Sequence, residues 1–150
     1  MRYECYTSEA DDTLMTFEFV SEGPKGRIKK RVIFQLSEDT EGMYNLAFGD
    51  VNLETNQIDD LAVTDNNDRD KVLATVAAIV DLFITKYPHA IVHAKGSTPA
   101  RNRLYRMGIS SNLEEINENF YVYGLLNDKK WSIFEKNKNY SAFLIIRKNV

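Results

Sequence analysis

The hydrophobic period changes once between residues 17 and 83, from two to that of a helix, and this constrains the fold more than any other feature. Phe17 and Phe19 alternate with polar neighbours, as do Val32, Phe34 and Leu36, and then Tyr44, Leu46 and Phe48. Period two with one apolar face predicts half-buried antiparallel strands. Gly23-Pro24-Lys25-Gly26 separates the first two strands as a turn, and Glu38 to Gly42 separates the second from the third. Val72, Val76, Ile79, Val80 and Phe83 then recur at helical spacing. Asp68 is the expected N-cap of that helix, Asp70 favours its positive end, and Pro88 closes the segment. The polar stretch from Glu54 to Asn67 reads as a connection with a short strand at Leu61 to Val63.

The second half is read from its end signals. Ile91 to Ala94 is a short buried strand. Thr98 as N-cap with Pro99 at the first helical position opens a second helix, and Gly108 should end it in a left-handed conformation. Ser111 with Glu114 makes a capping box for a third helix through Asn119. Tyr121 to Leu126 and Tyr140 to Arg147 are closing strands, with Asn127 to Lys130 as a turn between them. Trp131 and Phe134 should pack onto the core from a connecting stretch. The order is β-β-β-α-β-α-α-β-β, an α+β domain with a mixed, mostly antiparallel sheet and two main helices plus one short one. The third strand, the first helix and the fourth strand should form a right-handed crossover joining parallel neighbours. No repeat or linker interrupts the 150 residues, so one domain is expected.

Bulk properties narrow the function classes. Net charge is −3, which argues against whole-molecule attraction to nucleic acid and leaves room for a local basic patch. Cys5 is the only cysteine, so no intrachain disulfide and no thiolate-rich metal site can form. Met1 to Tyr6 has no apolar signal core behind it, and the run from Val76 to Ile84 is broken by Asp81 and too short for a bilayer. A cytoplasmic location without a membrane partner is the expectation.

The most concentrated functional signal lies between Lys95 and Arg106. No Asp or Glu occurs between Asp81 and Glu114, while Lys86, Lys95, Arg101, Arg103 and Arg106 all fall in that window. Arg103 and Arg106 are three apart and share one helix side, and Arg101 points elsewhere. Gly96 and Ser97 stand at a strand-to-helix junction, where unpaired backbone N–H groups and the helix dipole favour an anion. Arginine adds bidentate reach to phosphate or carboxylate. Pro99 removes one donor from that nest, and capping alone also accounts for Thr98 and Pro99. The binding set is therefore Lys95, Gly96, Ser97, Arg101, Arg103 and Arg106, directed at an anionic partner, a nucleic-acid backbone or an acidic protein surface.

Other charged segments read as structural. Lys25, Arg27, Lys29, Lys30 and Arg31 make a solvated strand face and turn, with Lys30 at a strand mouth rather than in a core. Asp50, Asp59, Asp60, Asp65, Asp68 and Asp70 lack the alternation, central glycine and closing glutamate of a calcium loop and read as turns and caps. His89 and His93 sit on one strand face, too far apart to chelate, and no third ligand is in view. No Gly-x-Ser-x-Gly elbow, Walker loop or Gly-x-Gly-x-x-Gly is present, and no metal or cofactor is assigned.

Two resemblances add to this reading. Phe17-Glu18-Phe19, Gly23-Pro24-Lys25-Gly26, the run Tyr44 to Asp50, Val72 to Val76, Gly96 to Arg101 and Arg103-Leu104-Tyr105 carry the first. Through them nearly the whole chain resembles a family of small uncharacterised bacterial proteins, a domain of unknown function. Ala100, Leu104-Tyr105 and Gly108-Ile109 carry the second. With the element order, they make the chain similar to the core of GNAT acetyltransferases, which implies Tyr105 as a general acid. The tyrosine-to-glycine spacing is one residue short. The glycine-rich pyrophosphate loop of that family is replaced by Thr64-Asp65-Asn66-Asn67-Asp68, whose carboxylates repel the diphosphate of coenzyme A. Three expectations follow: a non-catalytic binding module for an anionic partner, a divergent GNAT-like acyltransferase or nucleotide-using enzyme, and a protein–protein interaction domain using a sheet edge.

Overall fold

The computed structural model describes residues 3–59 and 64–148. Asp60 and the expected strand at Leu61 to Val63 lie outside the described residues. The fold is α+β, built on one mixed sheet with three helices among the described residues. The strands are β1 (Glu9–Ala10), β2 (Thr16–Gly23), β3 (Gly26–Leu36), β4 (Met43–Asn52), β5 (Gln57–Ile58), β6 (Ile91–Ala94), β7 (Phe120–Leu125), β8 (Trp131–Ile133) and β9 (Phe143–Arg147). The helices are α1 (Arg69–Lys86), α2 (Pro99–Ser111) and α3 (Leu113–Asn119). Strand order across the sheet is β1-β2-β3-β4-β6-β9-β7-β8, and β5 pairs with the end of β4.

The alternation in β2, β3 and β4 sorts residues to two faces. Phe17, Phe19, Val32, Phe34, Leu46 and Phe48 are buried together with Val72, Val76, Ile79, Val80 and Phe83 of α1. One sheet face and one helix stripe thus remove each other from water, the layer solution open to such a pattern. Pro24 and Lys25 form the two-residue hairpin loop, and Gly26 takes φ +91°, a conformation that glycine adopts without steric cost. β4 and β6 are parallel neighbours, from Met43 opposite Ile91 to Leu46 opposite Ala94, and α1 connects them. All other strand pairs are antiparallel.

Several expectations change. β1, β5 and β8 are absent from the sequence-based order because two or three residues are too few to show a period. Gly108 does not end α2; it is buried inside the helix, where an added Cβ would stand 3.3 Å from Leu73 of α1. Its small size serves helix–helix approach rather than termination. The Ser111 and Glu114 capping box is not formed, because α2 runs on through Ser111 and Asn112 is the residue between the helices. The Asn112 side chain donates to the Gly108 carbonyl at 2.8 Å. Phe134 is buried, but Trp131 is 41% exposed, since it lies on the outermost strand. Tyr140 is buried ahead of β9 rather than within it.

Lys30 reverses its expected role most fully. It shares the helix-covered side of β3 with Val32 and Phe34 and is 0% exposed. Its Nζ lies 2.6 Å from Asp50 Oδ1 and donates to the Thr64 carbonyl at 3.1 Å. Asp50 in turn accepts from the Thr64 N–H at 2.9 Å, so it is a buried partner and not a turn residue. Three more residues of the basic run are paired as well: Arg27 with Glu22, and Lys29 and Arg31 with Glu18. Burial opposes ionisation of Glu18, but the hydrogen bonds from Arg31 and Lys29 outweigh it and hold the carboxyl below its ordinary range.

Candidate anion-binding junction

The loop from β6 into α2 is built by three local interactions. Thr98 has extended backbone and its Oγ1 accepts from the Arg101 N–H at 3.2 Å, which makes it the N-cap that its position predicts. Pro99 occupies the first turn, where its missing donor is not needed. Asn102 reaches back: its Oδ1 accepts from the Gly96 N–H, and its Nδ2 donates to the Ser141 carbonyl at 3.0 Å. One side chain therefore ties the end of β6, the first turn of α2 and the start of β9 together.

These contacts change the role of Gly96. Its N–H is engaged by Asn102 and is not an open donor for an anion. Glycine is required for space: a Cβ there would sit 2.4 Å from the Asn102 nitrogen and 2.8 Å from the Arg101 carbonyl carbon. Gly96→Ala is therefore expected to destabilise the fold by about 1–3 kcal/mol, the usual cost of overpacking. Denaturant titration checks this, and a variant as stable as the parent would contradict the close packing.

Beside this loop lies a cavity of about 430 Å³ lined by Gly96, Ser97, Thr98, Asn102, Arg103 and Arg106, with Asn139 and Tyr140 across from them. Arg106 donates from Nη1 to Asn139 Oδ1, and Arg103 is exposed. The structure thus brings Gly96, Ser97, Arg103 and Arg106 of the expected set together. Asn139 and Tyr140 come from the segment before β9, with Asn139 33 residues beyond Arg106, and no local signal points to them.

Two members of the expected set stand apart. Arg101 is 7% exposed and its Nη2 donates to the Asp59 carbonyl at 3.0 Å, close under Gly49 of β4. It is a packing residue, because its place in the first turn of α2 turns it towards the sheet. Lys95 does not line the cavity. It lies near enough to His93 for its charge to lower the imidazole pKa, second to the lowering by burial. His93 Nδ1 is 2.9 Å from Asn45 Oδ1, while His89 is exposed and precedes β6, so the two histidines do not share a strand.

Tyr105 is 7% exposed and faces a different cavity, between the helices and the sheet, and burial raises its hydroxyl pKa. The loop before α1 is tied down by its own polar groups. Asn66 is buried, donating to Ser21 and to the Gly26 carbonyl and accepting from the Lys25 N–H. Asp68 is the N-cap residue of α1, yet its carboxylate does not cap the helix; it accepts from the Tyr6 and Ser21 hydroxyls, each at 2.5 Å. This loop therefore holds β2 and β3 to α1, and it presents carboxylates where the acetyltransferase likeness would require a diphosphate cradle.

Among the described residues no helix is long and apolar enough to cross a membrane. No curated protein and no solved structure matches the chain. A family model, described as a family of unknown function (DUF6934), matches residues 2–148, and the chain belongs to that family.

Proposed function

We propose that this member of the family is a non-catalytic binding module that takes an anionic group of a partner in the cavity between β6 and α2. One observation carries the reading: the charged side chains lining that cavity are Arg103 and Arg106, with no carboxylate among its described lining residues. The two guanidinium groups supply a fork geometry suited to phosphate or carboxylate oxygens. Thr98 and Ser97 add hydroxyl groups beside the positive end of the α2 dipole. The anion is held by side chains rather than by a backbone nest, since Asn102 and Thr98 accept from the Gly96 and Arg101 N–H groups.

An amide chemical-shift titration with short RNA, short DNA and an aspartate-rich peptide tests it. Shifts should centre on residues 96–106 and 139–140. Charge reversal at Arg103 and Arg106 together should weaken binding at least tenfold, because each lost charge-assisted hydrogen bond contributes roughly 1.5–3 kcal/mol. Lys95→Gln should have a much smaller effect. Unchanged binding by the double variant, or no binding of any anionic probe by the parent, would sink the proposal.

A second reading rests on the other end of the sheet. Trp131 and Ile133 are exposed on β8, the outermost strand, beside exposed Tyr121 on β7. An apolar edge of this kind fits a protein partner that adds to the sheet. Sedimentation of the parent against a Trp131→Ala and Ile133→Lys variant distinguishes self-association through this edge from a monomer.

A further inference from the structure

A second cavity lies away from the basic junction. It encloses about 460 Å³ among α1, α2, α3 and the sheet, within the size range of small-molecule sites. Its floor is Leu46 of β4, Ala94 of β6 and Ile145 of β9, and its walls include Val76 of α1, Ile109 of α2 and Ile116 of α3. Small residues leave this space open. Ala77 and Ala78 put methyl groups where larger side chains would fill it, and Gly108 allows α2 to approach Leu73 without adding bulk of its own. Leu82, another lining residue, is 50% exposed, so the apolar surface continues from the interior out to solvent.

The charged lining residues are all acids. Asp81 comes from α1, and Glu115 and Glu118 come from α3. None of the described lining residues is Lys, Arg or His. Glu118 is exposed and the other two are partly so, which places the carboxylates towards water while the interior remains hydrocarbon. A ligand matched to these surfaces has an apolar body and a positive end. A fatty acid would meet repulsion at the carboxylates, and a neutral hydrocarbon would gain nothing from them.

We propose that this cavity is a binding site for a small amphiphilic cation, with its hydrocarbon chain against Leu46, Ala94 and Ile145 and its protonated amine near Asp81, Glu115 and Glu118. The site is separate from the basic junction, and either can fail without the other. Calorimetric titration of the full chain at neutral pH with octylamine, 1-octanol and octanoate tests the assignment, since the three share one body and differ in charge. Octylamine should bind about tenfold or more tighter than 1-octanol, as expected for a charge-assisted contact, and octanoate most weakly. Asp81→Asn combined with Glu118→Gln should bring octylamine down towards the affinity of 1-octanol and leave 1-octanol unchanged. Ala77→Leu should weaken all of them by filling the space. Should Ala77→Leu fail to fold, methyl shifts of Ile109 and Ile116 on adding octylamine to the parent chain report occupancy directly. Equal affinity for octylamine and octanoate, an amine affinity that ignores the acid variants, or no binding by the parent would overturn the proposal.

Discussion

Lys30→Met is expected to destabilise the protein by about 3–5 kcal/mol, a large share of the total stability of a domain this size. The side chain is 0% exposed, and its ammonium lies 2.6 Å from Asp50 Oδ1. Methionine fills similar volume, so the loss does not come from a cavity. It comes from Asp50, which keeps the Thr64 N–H as a donor but loses the charge that offsets its burial. Replacing both residues, Lys30→Met with Asp50→Leu, leaves no stranded charge and should recover most of the loss. Denaturant unfolding of the parent, both single variants and the double variant reads this as a coupling energy. A double-variant loss equal to the sum of the two single losses would show that the two charges do not depend on each other.

The pair also bears on architecture. Lys30 and Asp50 are opposite each other on β3 and β4, and both bond to Thr64 in the loop that leads into α1. Asn66 and Asp68 continue the same connection to the β2–β3 hairpin. The start of the crossover helix is therefore placed by buried polar groups, and its middle by apolar ones.

Phe83→Ala should cost about 3–5 kcal/mol, for the second reason. Phe83 is 0% exposed and stacks on Phe34 with ring centroids 4.0 Å apart and planes 3° from parallel. Tyr44 meets it edge-on at 5.1 Å, and Tyr87 packs at 5.1 Å on another side. Truncation would remove the ring that joins α1 to both β3 and β4, and these three aromatic neighbours cannot close the gap without leaving their own contacts. The adjacent substitution Leu82→Ala, at a half-exposed position, should stay within about 0.5 kcal/mol. Midpoints from urea unfolding separate the two. Similar losses at residues 82 and 83 would mean that α1 is turned differently on the sheet.

The parts of the fold that could be read in the chain are those whose signal repeats. Phe17, Phe19, Val32, Phe34, Leu46 and Phe48 show a period, and so do Val72 to Phe83, so strands β2, β3 and β4 and helix α1 follow from local pattern. Thr98 and Pro99 mark a helix start because capping involves only the next three residues. The burial of Lys30 is not legible in the sequence because alternation says which side of the strand it faces, while its acceptors on β4 and in the loop at Thr64 are 20 and 34 residues away. The role of Gly108 is not legible either, because a glycine that ends a helix and one that lets another helix approach look identical in a single chain.

The candidate site divides along the same line. Its arginines, Arg103 and Arg106, were legible as a basic window free of acids, since charge and helical spacing are properties of a short segment. That Arg101 turns inward to Asp59, that Lys95 stands beside His93, and that Asn139 completes the cavity are matters of long-range packing. The sequence by itself determined the element types, the parallel β4–α1–β6 unit and the place where positive charge gathers, because each depends on neighbours within a turn or a strand. Only the tertiary structure decided which charges are buried in pairs, which face a cavity, and that an apolar chamber rimmed by acids exists at all. Those properties depend on distances between segments far apart in the chain, which no local period encodes.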